Sequence, residues 1–189
     1  DKIFIYGSGV LAQAAAQLSV RQGYKTIIIS KTTKRHHFFY RIGVEKVYSP
    51  KEALAAGNLS NLAIFTNCDW DLWDVALKLC DYHSIISVIG FPGRNEKVPK
   101  NFNPLDPLYT YTKQISIDFS GQVIESLDSR KIYKNNEKAN MKNILLDFKN
   151  KKLNPGELIT SYYDRSQLNK VYERLQERSC NDNTFVLKW

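Results

Sequence analysis

The sequence is poor in cysteine and histidine, with three of each in 189 residues. Cys68, Cys80 and Cys180 are odd in number and form no C-x-x-C pair. A disulfide framework is therefore not expected, and a reducing, cytoplasmic compartment is. His36, His37 and His83 share no zinc-ligand spacing with those cysteines, so no zinc site is expected in this chain. Long apolar runs are missing too. None approaches the ~20 residues of a membrane-spanning helix, and the first residues do not read as a secretory signal. No internal repeat and no low-complexity segment is present.

What is present is ordinary globular composition. Apolar residues make up 43% and charged residues 24%, which argues against disorder and for one folded domain over residues 1–189. The net charge of +8 favours anionic partners, among them phosphate-bearing cofactors and nucleic acid.

The apolar pattern alternates between two periods. Lys2-Ile-Phe-Ile-Tyr6 reads as a buried strand, and Val10 to Arg21 as a helix with Leu11, Ala14, Ala15 and Leu18 on one face. Thr26 to Ser30 is a second buried strand, Lys31 to Ile42 a basic helix and Val44 to Tyr48 a third strand. Ser49-Pro-Lys-Glu52 has the spacing of a capping box and opens a short helix to Ala56. Leu62 to Asn67 is a strand, Asp69 to Tyr82 a helix with Trp70, Trp73, Leu77 and Cys80 along one side, and Ser84 to Ile89 a fifth strand closed by Gly90-Phe-Pro-Gly93. Apolar strands alternating with helices predict a parallel sheet covered on both faces.

The second half is less regular. Arg94 to Pro107 carries three prolines and reads as a loop, and Gln114 to Phe119 as a sixth strand. Gly121 to Glu137 is polar and has no assignment. Asn140 to Lys151 is an amphipathic helix with Met141, Ile144, Leu145 and Phe148 on one face. Leu158 to Thr160 reads as a strand, Ser166 to Gln176 as a helix with Leu168, Val171, Tyr172 and Leu175 inward, and Thr184 to Lys188 as a last strand.

Gly7-Ser-Gly-Val-Leu-Ala12 is G-x-G-x-x-A, placed after an apolar strand and at the start of a helix. That context makes it a phosphate-binding turn. Gly7 allows the tight turn, Gly9 lets the backbone approach a pyrophosphate, and Ala12 permits close packing of helix on strand. Position 30 bears on the choice of dinucleotide. An acidic residue at the end of the second strand would hold the ribose 2′-hydroxyl of NAD. Here Ser30 stands there, followed by Lys31, Lys34 and Arg35, a set that suits the 2′-phosphate of NADP(H) in preference to NAD(H). The same cations would also serve as a solvated helix face.

Several ordered segments resemble the nucleotide-binding portion of the medium-chain, zinc-type alcohol dehydrogenases and quinone reductases. They are Ile5 to Ala12, Gly43 to Tyr48, Ile86 to Gly93, Asn103 to Asp106, Lys113 to Ile117, Leu158 to Thr160, Leu168 to Tyr172 and Phe185 to Trp189. The resemblance implies an α/β Rossmann-type, doubly wound parallel sheet of six strands in the order 3-2-1-4-5-6, with residues 153–189 as the closing segment. It places Ser8, Val10 and Leu11 along the pyrophosphate, Ser30, Lys31 and Arg35 at the adenosine ribose, Asn67 beside the cofactor, and Ile89, Gly90 and Ser116 at the nicotinamide end. Plain sheet packing would equally explain Asn67, Ile89 and Ser116. The family's preceding catalytic domain, with its zinc ligands and most of the substrate pocket, has no counterpart here, and Ser161-Tyr-Tyr163 stands where the family often carries a histidine.

The sequence thus points to the cofactor-binding domain of an oxidoreductase that moves hydride between NADP(H) and a carbonyl, alcohol or activated alkene. A homodimer, or a partner chain or domain supplying the catalytic half, is expected, with Phe185 to Trp189 as a candidate pairing strand. Two rivals stay open: a non-catalytic module that senses redox state or acts as a scaffold, and a nucleic-acid-binding protein. The second is disfavoured because the cations are spread along the chain and no known nucleic-acid motif is present.

Overall fold

The structure, a computed structural model, describes residues 1–32, 34–67, 69–90, 97–120, 137–176 and 184–189. The chain divides into two compact units, Asp1–Gln122 and Val123–Trp189.

The first unit is built on a six-stranded sheet. Its strands are β1 (Lys2–Tyr6), β2 (Lys25–Ile29), β3 (Lys46–Tyr48), β4 (Ser60–Phe65), β5 (Cys80–Val88) and β6 (Ser116–Phe119). They lie in the order β3-β2-β1-β4-β5-β6, with every neighbouring pair parallel, as the Rossmann reading requires. Parallel neighbours need crossovers, and here these are α1 (Val10–Arg21), α2 (His36–Arg41), α3 (Pro50–Ala56) and α4 (Trp70–Leu79). Strand alternation splits the core in two. Ile3, Ile5, Ile28 and Val47 pack with Ala12, Ala16 and Phe39 on the face of α1 and α2. Phe4, Tyr6, Ile27, Ile29, Ala63 and Phe65 pack with Leu72, Trp73 and Ala76 on the face of α3 and α4. The capping box of α3 is formed, with Glu52 N–H donating to Ser49 Oγ and Ser49 N–H to Glu52 Oε2.

Several details depart from the sequence reading. First, the face of α1 that meets the sheet is not the one carrying Leu11 and Leu18, which are 49% and 37% exposed. Ala12, Gln13, Ala16, Gln17 and Ser19 are buried instead. Two alanines let the helix lie close on the sheet, and the Gln13 amide is satisfied by donating to the Ser8 carbonyl at 3.0 Å. Second, the basic segment after β2 is helical only from His36. Ser30 Oγ accepts from Thr32 N–H and Thr32 Oγ1 from Lys34 N–H, local bonds that compete with a helix. Third, α4 ends at Leu79 rather than Tyr82, and Cys80 already belongs to β5. Lys113 Nζ stops the helix by donating to the carbonyls of Lys78 (3.0 Å) and Cys80 (2.6 Å). Fourth, the segment Leu158 to Thr160 is not a strand. Pro155–Leu158 is a 3-10 turn, and the strand follows at Ser161.

The second unit holds α5 (Glu137–Lys149), β7 (Ser161–Asp164), α6 (Leu168–Gln176) and β8 (Phe185–Lys188). β7 and β8 form a parallel two-stranded sheet connected through α6. Arg174 Nη1 donates to Tyr163 Oη at 2.6 Å, tying α6 to β7. Of the α6 residues expected inward, only Val171 is buried, and Leu168, Tyr172 and Leu175 are exposed. Two short strands offer too little surface to cover the rest. Met141, Ile144 and Leu145 of α5 are exposed as well. The stretch Gly121 to Glu137, the Gly90–Gly93 turn beyond Gly90, Cys68 and Cys180 lie outside the described residues, apart from the backbone of Glu137 that opens α5. Among the described residues no helix is long and apolar enough to cross a membrane.

Candidate functional site

The glycine turn leaves the carboxyl end of β1 between its neighbours β2 and β4. Gly7 N–H donates to the Ile29 carbonyl at 2.9 Å, and Thr66, just after β4, donates both its N–H and its hydroxyl to the Tyr6 carbonyl. Gly7 has φ +122°, and a β-carbon there would stand 2.5 Å from Thr66 Oγ1. Its conformation and its crowding both demand glycine.

Gly9 is different. It is extended, at φ −70° and ψ −175°, and caps α1 with no side-chain hydrogen bond. A β-carbon on Gly9 would meet nothing within 4 Å among the described residues. Among the described residues nothing around it requires glycine. The start of α1 has no side-chain cap and no acidic residue in its first turn, which leaves its first amide N–H groups and the positive end of its dipole without a side-chain partner at the cap. This suits a pyrophosphate. Ser8 is buried and its carbonyl is held by Gln13, while Val10 is half-buried and Leu11 exposed.

The segment after β2 holds Ser30, Lys31 and Arg35. Ser30 is 4% exposed, and its hydroxyl donates to the Thr32 carbonyl at 3.2 Å, so it shapes the turn. Arg35 caps α2 through its carbonyl. Lys31 Nζ reaches across to the segment after β4, where it meets Asp69 Oδ2 at 2.6 Å and Asp71 Oδ2 at 2.8 Å. Partial burial pulls the Lys31 pKa down, but the hydrogen bonds to Asp69 and Asp71 outweigh it and hold the ammonium above its usual value.

At the ends of β4 and β5, Asn67 lies beside Gly7, 3.8 Å from where a Gly7 β-carbon would be. Ile89 and Gly90 both donate their N–H groups to the Phe65 carbonyl. A β-carbon on Gly90 would collide with the backbone of Thr66 and Asn67, so this glycine is explained by packing. Ile89 is exposed and lines an apolar groove of about 500 Å³ together with Ile3, Leu18, Leu62 and Ile64.

Ser116 does not join this set. It opens β6 opposite Ile85, whereas Phe119 pairs with Val88. At ~3.3 Å per residue that puts Ser116 about 10 Å from the carboxyl ends of the strands. The residue at that end is Ser120, whose hydroxyl lies 2.9 Å from that of Ser87. The carboxyl ends of the strands thus hold Gly7, Ser8, Gly9, Asn67 and Gly90 of the residues expected there, together with Thr66 and, across from Lys31, Asp69 and Asp71, with Ser120 at the end of the edge strand β6. A polar residue just past an apolar strand was the available signal for Thr66 and Ser120. Among the described residues no three His, Cys, Asp or Glu side chains gather as a metal site.

No family model matches the sequence, and no curated protein does. Solved structures do match the fold. A zinc-dependent alcohol dehydrogenase from Streptococcus pneumoniae aligns over 98% of this chain and 51% of its own, with a TM-score of 0.75 and 18% identity. This is the fold of about half an alcohol dehydrogenase chain. A thermostable alcohol dehydrogenase from Pyrobaculum aerophilum, with cobalt and zinc bound, covers 100% of this chain and 50% of its own, at TM-score 0.76 and 16% identity. An alcohol dehydrogenase from Escherichia coli in complex with NADH covers 100% of this chain and 52% of its own, again at TM-score 0.76 and 16% identity. The chain spans about half the length of these dehydrogenases.

Proposed function

We propose that this chain is the NADP(H)-binding portion of an alcohol dehydrogenase-like oxidoreductase. The observation that carries the reading is the open space at Gly9. A helix start with no side-chain cap follows a central strand of a parallel sheet, and a β-carbon on its Gly9 cap would meet no described residue within 4 Å. Ligands of doubly wound sheets bind at the carboxyl ends, where the strand order reverses between β1 and β4. The Escherichia coli structure of the same fold is one with NADH bound. Ser30 in place of an acidic residue, with Lys34 and Arg35 following, favours the 2′-phosphate.

In this reading the chain binds and orients the dinucleotide, and the bound nicotinamide supplies hydride chemistry toward a carbonyl, alcohol or activated alkene. A second copy, or another domain or chain, completes the substrate pocket. The reading assigns no zinc to this chain, and a reducing, cytoplasmic setting goes with it. Titration calorimetry with NADPH and NADH tests it: measurable binding of both, tighter for NADPH, is expected. Absence of binding by either cofactor would sink the reading, and equal or tighter binding of NADH would sink the choice of NADP(H).

A further inference from the structure

The cofactor reading counts Lys31 as a cation for the ribose end, yet the structure shows its charge already engaged. Asp69 caps α4 by accepting from Asp71 N–H through Oδ1 at 2.9 Å, and its Oδ2 is turned to Lys31. Asp71 gives Lys31 a second carboxylate at 2.8 Å. Lys31 follows β2 and Asp69 follows β4, and these strands flank β1. The bridge therefore crosses the carboxyl end of the strand that feeds the glycine turn, at the end of the site where the adenosine is read to lie.

The charge count matters here. One ammonium faces two carboxylates, so the trio carries a net negative charge. A phosphate arriving ~4 Å from Lys31 on its open side would stand ~6.5 Å from each carboxylate. Coulomb energy scales as charge over distance, so two repulsions at ~6.5 Å outweigh one attraction at ~4 Å. Lys31 in this arrangement does not recruit a 2′-phosphate. A ribose bearing only a hydroxyl carries no charge there and is not repelled by the same trio.

We propose that Asp69 and Asp71 are specificity-determining residues. By holding Lys31 they weaken the preference for a 2′-phosphorylated dinucleotide that Lys34 and Arg35 would otherwise give. The inference rests on the cofactor reading. It differs from the sequence expectation in assigning Lys31 to the carboxylates and the discrimination to residues 38 and 40 positions further along the chain.

The test is calorimetry on the 189-residue chain and on the double variant Asp69→Asn, Asp71→Asn, with 2′,5′-ADP and 5′-AMP as probes and with NADPH and NADH. Asparagine is as good a helix cap as aspartate, so α4 is preserved. The double variant is expected to bind 2′,5′-ADP and NADPH on the order of tenfold more tightly, with 5′-AMP and NADH changed less than about twofold. Adding Lys31→Met to the double variant is expected to remove the gain, because the gain comes from releasing that ammonium. Equal tightening of phosphorylated and unphosphorylated probes, no tightening, or a gain that survives Lys31→Met overturns the inference while leaving the cofactor reading in place. Binding of none of the four probes by any of the proteins overturns both.

Discussion

Thr66 stands so close to Gly7 that a β-carbon on the glycine would lie 2.5 Å from the threonine hydroxyl oxygen. The same hydroxyl donates to the Tyr6 carbonyl at 2.8 Å, so it has little freedom to withdraw. The end of β1 and the end of β4 are thereby fixed to each other at the point where the chain turns into α1.

Gly7→Ala should therefore destabilise the protein. It combines a left-handed backbone with a collision, and the expected cost is about 2–3 kcal/mol, read by urea unfolding. Gly9→Val should separate stability from binding. The position is extended and a β-carbon there meets no described residue within 4 Å, so the fold should lose no more than about 1 kcal/mol. Binding of NADPH should fall below detection in calorimetry, because the branched side chain occupies the room at the helix start. Unimpaired binding by a folded Gly9→Val protein would contradict the placement of the pyrophosphate.

Lys113 should matter more than a surface lysine does. Its ammonium, from the loop before β6, satisfies the carbonyls of Lys78 in the last turn of α4 and of Cys80 at the start of β5. Lys113→Met keeps the length of the stem and removes the donors. A loss of about 1–2 kcal/mol is expected in denaturant unfolding. A change within ±0.5 kcal/mol would mean that water serves those carbonyls equally well.

Tyr6 should become an alkaline liability. Its ring packs 5.9 Å from Phe65, and its hydroxyl has no hydrogen-bond partner among the described residues. Burial raises its pKa well above the usual 10.0, and the nearby Cys80 adds to the rise. The Cys80 thiol is itself pushed up by burial. Both groups stay protonated in the folded state at pH values where the unfolded chain gives up its protons. Their contribution is complete below the ordinary pKa values and is lost as the pH rises through and beyond them. Tyr6→Phe should be neutral or stabilising by up to about 1 kcal/mol at pH 8, since it removes an unpaired hydroxyl. Its advantage over the wild type should widen between pH 9 and pH 11 in urea unfolding, and a constant gap would refute the assignment.

The two-stranded sheet should pair further. A parallel pair of four-residue strands leaves open edges, and Tyr162 and Trp189 beside them are exposed, the tryptophan at 91%. Light scattering is expected to show a dimer, and Trp189→Ser to shift it toward monomer. A wild-type monomer at high concentration would count against this.

The fold and the glycine turn were legible because their signals are local. An apolar strand, a G-x-G-x-x-A turn and a helix follow one another within 21 residues, and the strand order comes with the Rossmann resemblance. The failures have physical causes as well. Apolar spacing picked the wrong face of α1, because burial there is governed by small residues and by the Gln13 amide serving the Ser8 carbonyl. Basic residues after β2 read as a helix, but serine and threonine side chains took the backbone N–H groups first. Ser116 lies three residues before the carboxyl end of β6, and only pairing with β5 fixes that register. The Lys31–Asp69 bridge has no periodicity to betray it, since the topology alone brings β2 and β4 to either side of β1.

Gly7, Gly9 and Gly90 look alike in the sequence but answer to different pressures. Gly7 and Gly90 are held by the neighbouring backbone and side chain of Thr66, so every descendant that keeps the fold must keep them. At Gly9 a β-carbon would meet no described residue within 4 Å, so in the cofactor reading that position answers to the ligand. In a lineage that stopped binding the dinucleotide, Gly9 would be released to drift first while the other two stayed fixed. Variation at this one position among related chains would then date the loss of the ligand independently of any change in the fold.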